Sequence, residues 1–149
     1  MNYFKEFEPI WADMDPNRHM RHSAYNDYGA QVRVAFFDEF GMGYQKMEAL
    51  GVGAVLFRED VRFYREIRLG DRIKVDLQIY GLSPEGRFWN IVHHIYKNGD
   101  ELSAVIRAEG AWIDLVKRKI TIPPAEIVKH LNELPKSEDY QQITNHKKK

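Results

Sequence analysis

The chain of 149 residues contains no cysteine and carries no net charge, since 22 lysines and arginines balance 22 aspartates and glutamates. The absence of cysteine excludes disulfide bonds, thiol nucleophiles and cysteine-ligated metal sites. The absence of net charge removes any global electrostatic reason to expect binding to nucleic acid or to an anionic membrane surface. We therefore expect neither nucleic acid nor a membrane as a partner.

Long apolar segments are also absent. No segment approaches the roughly 18–20 apolar residues that span a bilayer, and charges interrupt the apolar N-terminal residues, so they do not form a secretory signal. A hydrophobic content of 44% with 13% aromatic residues is typical of a folded globular protein. We expect a cytoplasmic protein with a single domain over residues 1–134 and a polar, disordered tail over residues 135–149.

The main predicted helix extends from Ser23 to Phe40, because apolar residues recur there at spacings of three and four. Ser23 is expected to cap the start of this helix, and Gly41 is expected to end it. Gly29 lies in the middle of the helix, where glycine costs about 1 kcal/mol relative to alanine. We interpret this glycine as a point of close approach to a strand or to a neighbouring backbone.

The remaining sequence predicts mainly β-structure. Alternating apolar and polar residues predict strands over 3–11, 55–69, 73–80, 88–96 and 102–116, and short helices are predicted over 44–50 and 125–134. Turn sequences at 83–86 and 98–100 join successive strands, which indicates an antiparallel sheet. The predicted fold class is α+β, with five to six antiparallel strands wrapped around one long helix. Such a sheet has an exposed edge that dimerisation would cover.

The segment between the first predicted strand and the helix concentrates groups that carry chemistry. It contains two carboxylates, two imidazoles and a phenol, at Asp13, Asp15, His19, His22 and Tyr25. A carboxylate close to an imidazole can act as a general base. The free N–H groups at a helix start stabilise a developing negative charge. This segment is therefore the candidate active site.

Each of these residues also has a structural interpretation. Asp15 precedes Pro16 and can initiate a turn, and Asp13 can accept hydrogen bonds from loop N–H groups. His19 is either a hydrogen-bonded loop residue or a site residue that contacts substrate, and His22 is either a capping group or a catalytic group. Although the two histidines and two aspartates are metal-ligand types, Pro16 argues against the regular helix that would align them, so no metal site is predicted.

The order of these motifs resembles the hotdog-fold acyl-CoA thioesterases of the 4-hydroxybenzoyl-CoA thioesterase type. The resemblance is carried by Asp-x-Asp at 13–15 and His-x-x-His-x-x-Tyr at 19–25, placed between a strand and a long helix. The stretch from Val61 to Asp71, which ends in Gly-Asp, resembles the second landmark of the family. The order of elements agrees from residue 3 to about residue 128.

The resemblance implies a hotdog fold and the hydrolysis of an acyl thioester of CoA or of acyl carrier protein, without any cofactor. It implies that Asp15 is the catalytic carboxylate, acting as general base or as nucleophile. It also implies that His22 assists, with its backbone N–H polarising the thioester carbonyl, and that Tyr25 closes the motif. Because catalysis in the family takes place at a subunit interface, a homodimer or homotetramer is implied.

Arginine suits phosphate groups because its guanidinium forms two parallel hydrogen bonds. For the phosphates of CoA, the favoured residues are Arg18, Arg62 and Arg65. Arg18 is also a departure from the family, which usually has glycine there, and glycine allows a positive φ. A second departure is the pair Arg21 and His22, where many members have Asn-Asn.

Two alternatives on the same scaffold remain open. The first is a non-catalytic protein that binds acyl thioesters, which the replacement of glycine by Arg18 supports. The second is a hydratase or dehydratase, whose Asp-x-Asn-Pro-x-His pattern is only loosely matched by residues 13–19.

Overall fold

The computed structural model describes residues 2–144. The described chain forms seven strands, β1 (Phe4–Phe7), β2 (Val52–Phe63), β3 (Ile73–Asp76), β4 (Gln78–Leu82), β5 (Phe88–Lys97), β6 (Glu101–Asp114) and β7 (Lys119–Ile120), and three α-helices, α1 (Tyr25–Glu39), α2 (Tyr44–Leu50) and α3 (Ala125–Glu133). Short 3-10 turns at Trp11–Asp13 and His22–Ala24 precede α1. None of the helices within residues 2–144 is long and apolar enough to cross a membrane.

All strands belong to one antiparallel sheet in the order β1-β3-β5-β6-β2. In addition, β4 pairs with β5 beyond the end of β3, and β7 pairs with β6. The predicted α+β architecture is confirmed, with seven strands rather than five to six. The short strand β7 was not predicted, since two residues are too few to show an alternating pattern.

Helix α1 packs along one face of this sheet. Its N-terminal end meets β2, where the rings of Tyr25 and Phe63 lie 4.9 Å apart, and its C-terminal end meets β6, where the rings of Phe37 and Trp112 lie 5.7 Å apart. A Cβ atom added at Gly29 would lie 3.0 Å from the His93 ring. The predicted close approach at this glycine is therefore confirmed, with β5 as the neighbouring strand.

Several predicted boundaries differ from the structure. The helix begins at Tyr25, and Ser23 makes no capping bond, because its hydroxyl accepts a hydrogen bond of 2.6 Å from Arg21 instead. The strand predicted over 73–80 is interrupted at Leu77, whose N–H donates to the carbonyl oxygen of Tyr3 at 3.0 Å rather than to β5. The strand predicted to end at residue 69 ends at Phe63, after which the chain turns towards the site loop.

The segment that follows α3 lies along the outer edge of β4. Backbone hydrogen bonds of 3.0–3.1 Å connect β4 residues 79, 80 and 82 to residues 135, 137, 141 and 143. Residues 135–143, expected as part of a disordered tail, thus hydrogen-bond to an edge strand through their backbone groups. Residues 145–149, which include the three terminal lysines, lie outside the described residues.

Candidate functional site

Residues 13–21 form a narrow loop that docks against the segment after β2. Met14 and Met20 face each other in an antiparallel bridge, and the Asp15 N–H donates to the His19 carbonyl oxygen at 2.9 Å. The Met20 N–H donates to the carbonyl oxygen of Ile67 at 2.7 Å. These bonds fix the loop both internally and to its neighbour, so its polar side chains are held beside the start of α1.

The carboxylate of Asp15 has one occupied oxygen and one available oxygen. Oδ1 accepts the backbone N–H groups of Asn17 at 2.9 Å and of His19 at 3.4 Å. Oδ2 lies 3.5 Å from Nδ1 of His19, and the side chain is 24% exposed. The turn and the catalytic interpretations are thus compatible, because backbone groups orient Oδ1 while Oδ2 remains open to a reactant.

His19 lies between two carboxylates. On the side away from Asp15, its Nε2 atom is 3.6 Å from Oε1 of Glu66. Sequence reasoning missed Glu66, although it lies within the landmark stretch 61–71, since nothing in the sequence showed that this stretch returns to the loop. Within residues 2–144, no three His, Asp or Glu side chains are grouped so that they could hold a metal ion.

The side chain of His22 is exposed and forms no ion pair with Asp15 within residues 2–144. Within the described residues its imidazole makes no hydrogen bond, and the ring beside the carboxylate belongs to His19 instead. The backbone N–H of His22 donates no hydrogen bond within residues 2–144 either, because the first residue of a helical turn lacks a carbonyl partner. The structure thus leaves this N–H available to an incoming oxygen atom.

Tyr25 packs beneath the site loop, at the start of α1. Its ring is buried, and its hydroxyl bonds the backbone of Ile67. Burial raises the pKa of Tyr25, and the charges of Glu66 and Asp15 raise this pKa further. Tyr25 is therefore a neutral phenol whose hydroxyl already bonds the backbone.

Arg18 occupies the left-handed region of the backbone, with φ of 73°. Its N–H donates to the carbonyl oxygen of Asp15 at 2.9 Å, which closes the turn. The loop therefore has the backbone conformation that glycine would favour, with an arginine in its place. Its side chain forms no ion pair with Asp13 within the described residues.

The substitution Arg18→Gly tests this backbone strain. A left-handed conformation costs a non-glycine residue about 1–2 kcal/mol, whereas glycine loses about 0.4–1 kcal/mol through its freer unfolded state. We expect the free energy of unfolding, measured in urea, to stay equal or rise by about 1 kcal/mol. Arg21→Gly is the control, because Arg21 has φ of −66° and should lose stability. Equal losses in both variants would contradict strain at Arg18.

The other two candidate arginines lie further from Asp15. Nε of Arg65 is 3.5 Å from Oε2 of Glu101, and the Arg65 side chain is 66% exposed. Arg62 precedes Phe63 in β2, and Phe63 contacts Tyr25. Because successive strand residues point to opposite faces, Arg62 lies on the face away from the site of its own chain.

Asp13 is buried and ties the loop to α1. Its Oδ2 accepts the hydroxyl of Tyr28 at 2.5 Å and the N–H of Ile10 at 3.2 Å. Burial, together with this hydrogen bond, raises the pKa of Tyr28. The contacts of Asp13 agree with the structural interpretation, in which the first aspartate holds the loop in place.

Tyr28→Phe removes one donor from the buried Asp13 carboxylate. Leaving a buried acceptor short of a partner costs about 1–3 kcal/mol, so the free energy of unfolding in urea should fall by this amount. Tyr44→Phe is the matched control, since Tyr44 is 77% exposed and its hydroxyl makes no hydrogen bond within residues 2–144. An unchanged stability in Tyr28→Phe would show that Asp13 does not depend on this bond.

A cavity of about 650 Å³ lies between α1, α2 and the sheet. Most of its wall is apolar, with Phe37 from α1, Leu56 from β2, and the indoles of Trp89 and Trp112 from β5 and β6. Arg33 of α1 also lines it. A cavity of this size and polarity suits an apolar ligand.

Comparisons with known proteins bear on the family and the fold of the chain. The Thioesterase-like superfamily matches residues 10–131. No curated protein sequence matches the chain. A hypothetical protein from Staphylococcus aureus, solved in complex with CoA, is 18% identical with a TM-score of 0.84 over 99% of this chain and 90% of that chain.

Two further solved structures share the architecture. A 1,4-dihydroxy-2-naphthoyl-CoA thioesterase from Synechocystis is 17% identical, with a TM-score of 0.80 over 90% of this chain and 98% of that chain. A DHNA-CoA thioesterase from Staphylococcus aureus is 17% identical, with a TM-score of 0.80 over 89% of each chain. These likenesses show the hotdog fold, and the match over residues 10–131 shows that the chain belongs to the Thioesterase-like superfamily.

Proposed function

We propose that the protein is an acyl-CoA thioesterase that hydrolyses an acyl thioester to a carboxylic acid and a free thiol. The observation that carries this proposal is the Asp15 carboxylate, with Oδ2 open, in the loop that leads into the free N–H of His22 at a helical turn. Two proteins of the same fold are described as CoA thioesterases, and a third was solved with CoA, which supports the same ligand class here.

The proposed reaction uses the two oxygen atoms of Asp15 differently. Oδ1 is held by backbone N–H groups, while Oδ2 accepts a proton from a water molecule as that water attacks the thioester carbonyl. The His22 N–H donates to the oxyanion that forms. When the C–S bond breaks, the proton passes to the departing thiolate, so water and thioester become acid and thiol.

A nucleophilic variant of this reaction breaks the same bond. In it, Oδ2 attacks the carbonyl directly and the C–S bond breaks to release CoA as the thiolate. Water then hydrolyses the resulting anhydride to the carboxylic acid and restores the Asp15 carboxylate, and the proton released in this step converts the thiolate to the thiol. His19 has the same positioning role in both reaction routes. Its backbone N–H donates to Oδ1 of Asp15, and its imidazole lies beside Oδ2. Neither reaction route requires a metal or a cofactor.

Arginine side chains near the site are the candidate ligands of the CoA phosphates. Arg18 is exposed on the site loop, and Arg65 is exposed in the segment after β2, so both can reach a phosphate from the site side. Arg62 lies on the opposite face of β2 and contributes only where a second subunit brings that face to a substrate.

The proposal includes a homo-oligomer, either dimer or tetramer. The edge strand β2 and the residue after it expose large apolar side chains, namely Leu56 at 47%, Phe57 at 50%, Phe63 at 52% and Tyr64 at 54%. Apolar side chains on a long, unpaired strand edge favour association. Light scattering should give a mass at least twice that of one chain, and a monomer at micromolar concentration would contradict this part of the proposal.

A thiol-release assay with short, long and aromatic acyl-CoAs, and with acyl carrier protein thioesters, tests the function. Catalytic release from one of these classes would support the proposal and identify the substrate class. Tight binding of acyl-CoA without turnover would instead favour the alternative of a non-catalytic binding protein.

A further inference from the structure

Helix α1 carries a charged residue within its sheet-facing row. The row consists of Tyr25, Gly29, Arg33 and Phe37, spaced by four residues, and the first and last members contact the sheet through their rings. Apolar residues are expected throughout such a row. Arg33 therefore requires an explanation beyond the packing of the core.

One hydrogen bond fixes the position of the Arg33 guanidinium. Nη1 of Arg33 lies 3.0 Å from Nε2 of His93, and Nδ1 of His93 lies 2.7 Å from the carbonyl oxygen of Asp76. Because a carbonyl only accepts, Nδ1 carries the proton and Nε2 accepts from Arg33. Burial and the charge of Arg33 lower the pKa of His93 to about 3, so the imidazole stays neutral and continues to accept.

The second neighbour of Arg33 is too distant for a hydrogen bond. Nη2 of Arg33 lies 3.8 Å from Oε2 of Glu59, and the two side chains are 19% and 24% exposed. Within residues 2–144 the other N–H groups of Arg33 donate no hydrogen bond, and the carboxylate of Glu59 accepts none. In this described part of the chain, Arg33 and Glu59 thus form an ion pair without a hydrogen bond, so free donors and a free acceptor face each other at 3.8 Å.

The pair lies between the candidate active site and the cavity. Arg33 is eight residues after Tyr25, which corresponds to about 12 Å along the helix axis, and it lines the cavity wall. On β2, Glu59 lies between Leu56, which also lines the cavity, and Phe63, which contacts Tyr25. A chain lying along α1 from Tyr25 towards Phe37 would therefore pass this pair.

We propose that Arg33 and Glu59 determine specificity by selecting acyl groups that carry a hydroxyl at the entrance of this cavity, an inference that rests on the proposed function. A hydroxyl accepts from Arg33 and donates to Glu59, so it satisfies both groups at once. A plain alkyl chain would exclude water from both groups without replacing their hydrogen bonds. A carboxylate would bind Arg33 but would be repelled by Glu59.

The test compares kcat/KM for series of acyl-CoAs that carry a hydroxyl, a carboxylate or no substituent at matched positions along chains of equal length, including positions about 12 Å along the chain, the rise of α1 from Tyr25 to Arg33. For the wild type we expect a preference for the hydroxyl of about tenfold or more over the plain chain. Glu59→Gln should shift the preference to the carboxylate, because Arg33 and its bond to His93 are retained while the repelling charge is removed. Val34→Ala, in the same cavity wall, should retain the preference of the wild type.

The outcomes separate this inference from the proposed function. Hydrolysis of hydroxylated and plain chains at equal rates would overturn the role of Arg33 and Glu59 and leave the thioesterase intact. If no thioester is hydrolysed, calorimetric binding of the same acyl-CoAs gives the answer. Tighter binding of the hydroxylated chain by the wild type, shifted to the carboxylate by Glu59→Gln, would uphold the pair even without hydrolysis. Equal affinities of the wild type for all three chains would overturn it.

Discussion

Asp15→Asn is expected to lower kcat for thioester hydrolysis by a factor of about 10²–10⁴, the range that general-base groups contribute. The amide retains an oxygen atom that can accept the N–H groups of Asn17 and His19, so the turn should remain. It cannot take a proton from water or attack the carbonyl, because it lacks the negative charge. Steady-state thiol release, with KM determined separately, measures the loss.

Asp38→Asn is the matched control for this change. Asp38 is exposed near the other end of α1, so the same loss of one charge should leave kcat unchanged. The free energy of unfolding of Asp15→Asn should stay within about 1 kcal/mol of the wild type, because the hydrogen bonds of Oδ1 are retained. A kcat within twofold of the wild type, in a folded variant, would exclude Asp15 as the catalytic carboxylate.

Gly110→Ala is expected to destabilise the fold by about 3 kcal/mol or more, at the upper end of overpacking costs. An added Cβ would lie too close to the carbonyl oxygen of Val55 on β2 and only 2.4 Å from Cζ2 of Trp89. The first of these neighbours is backbone, so β2 and β6 would have to separate where Leu56 pairs with Gly110. The midpoint of urea unfolding should fall accordingly.

Gly53→Ala, on the neighbouring strand β2, is the control for this effect. There an added Cβ would meet Cδ2 of Leu115 at 2.9 Å, and the end of a leucine side chain can move. The loss of stability should be below about 1 kcal/mol. Equal losses in the two variants would show that the close approach of the Val55 carbonyl and of Trp89 to Gly110 is not what excludes a side chain.

Local patterns in the sequence predicted the helix and most strands, and the position of Gly29 predicted a close contact with the sheet. The position of Asp15 next to a helix start was also predictable, because only a short loop separates them. Local patterns did not show which imidazole lies beside Asp15. The loop turns back immediately after Asp15, so His19 reaches the carboxylate and His22 does not.

Contacts between distant segments explain what the sequence did not predict. Glu66 reaches His19 only because Met20 bonds Ile67 across the fold. Arg33 could be recognised as unusual within an apolar helix face, but its partners His93 and Glu59 lie on two other strands. Residues 135–143 were expected to be disordered because they are polar, yet their backbone groups complete the edge of β4.

The most direct test of the account is thiol release from a panel of acyl-CoAs by the wild type and by Asp15→Asn, assayed side by side. We expect catalytic release by the wild type and a loss of about a hundredfold or more in the variant. Equal rates for the two proteins would contradict the role of Asp15. An absence of release from every acyl-CoA and acyl carrier protein thioester would contradict the thioesterase itself.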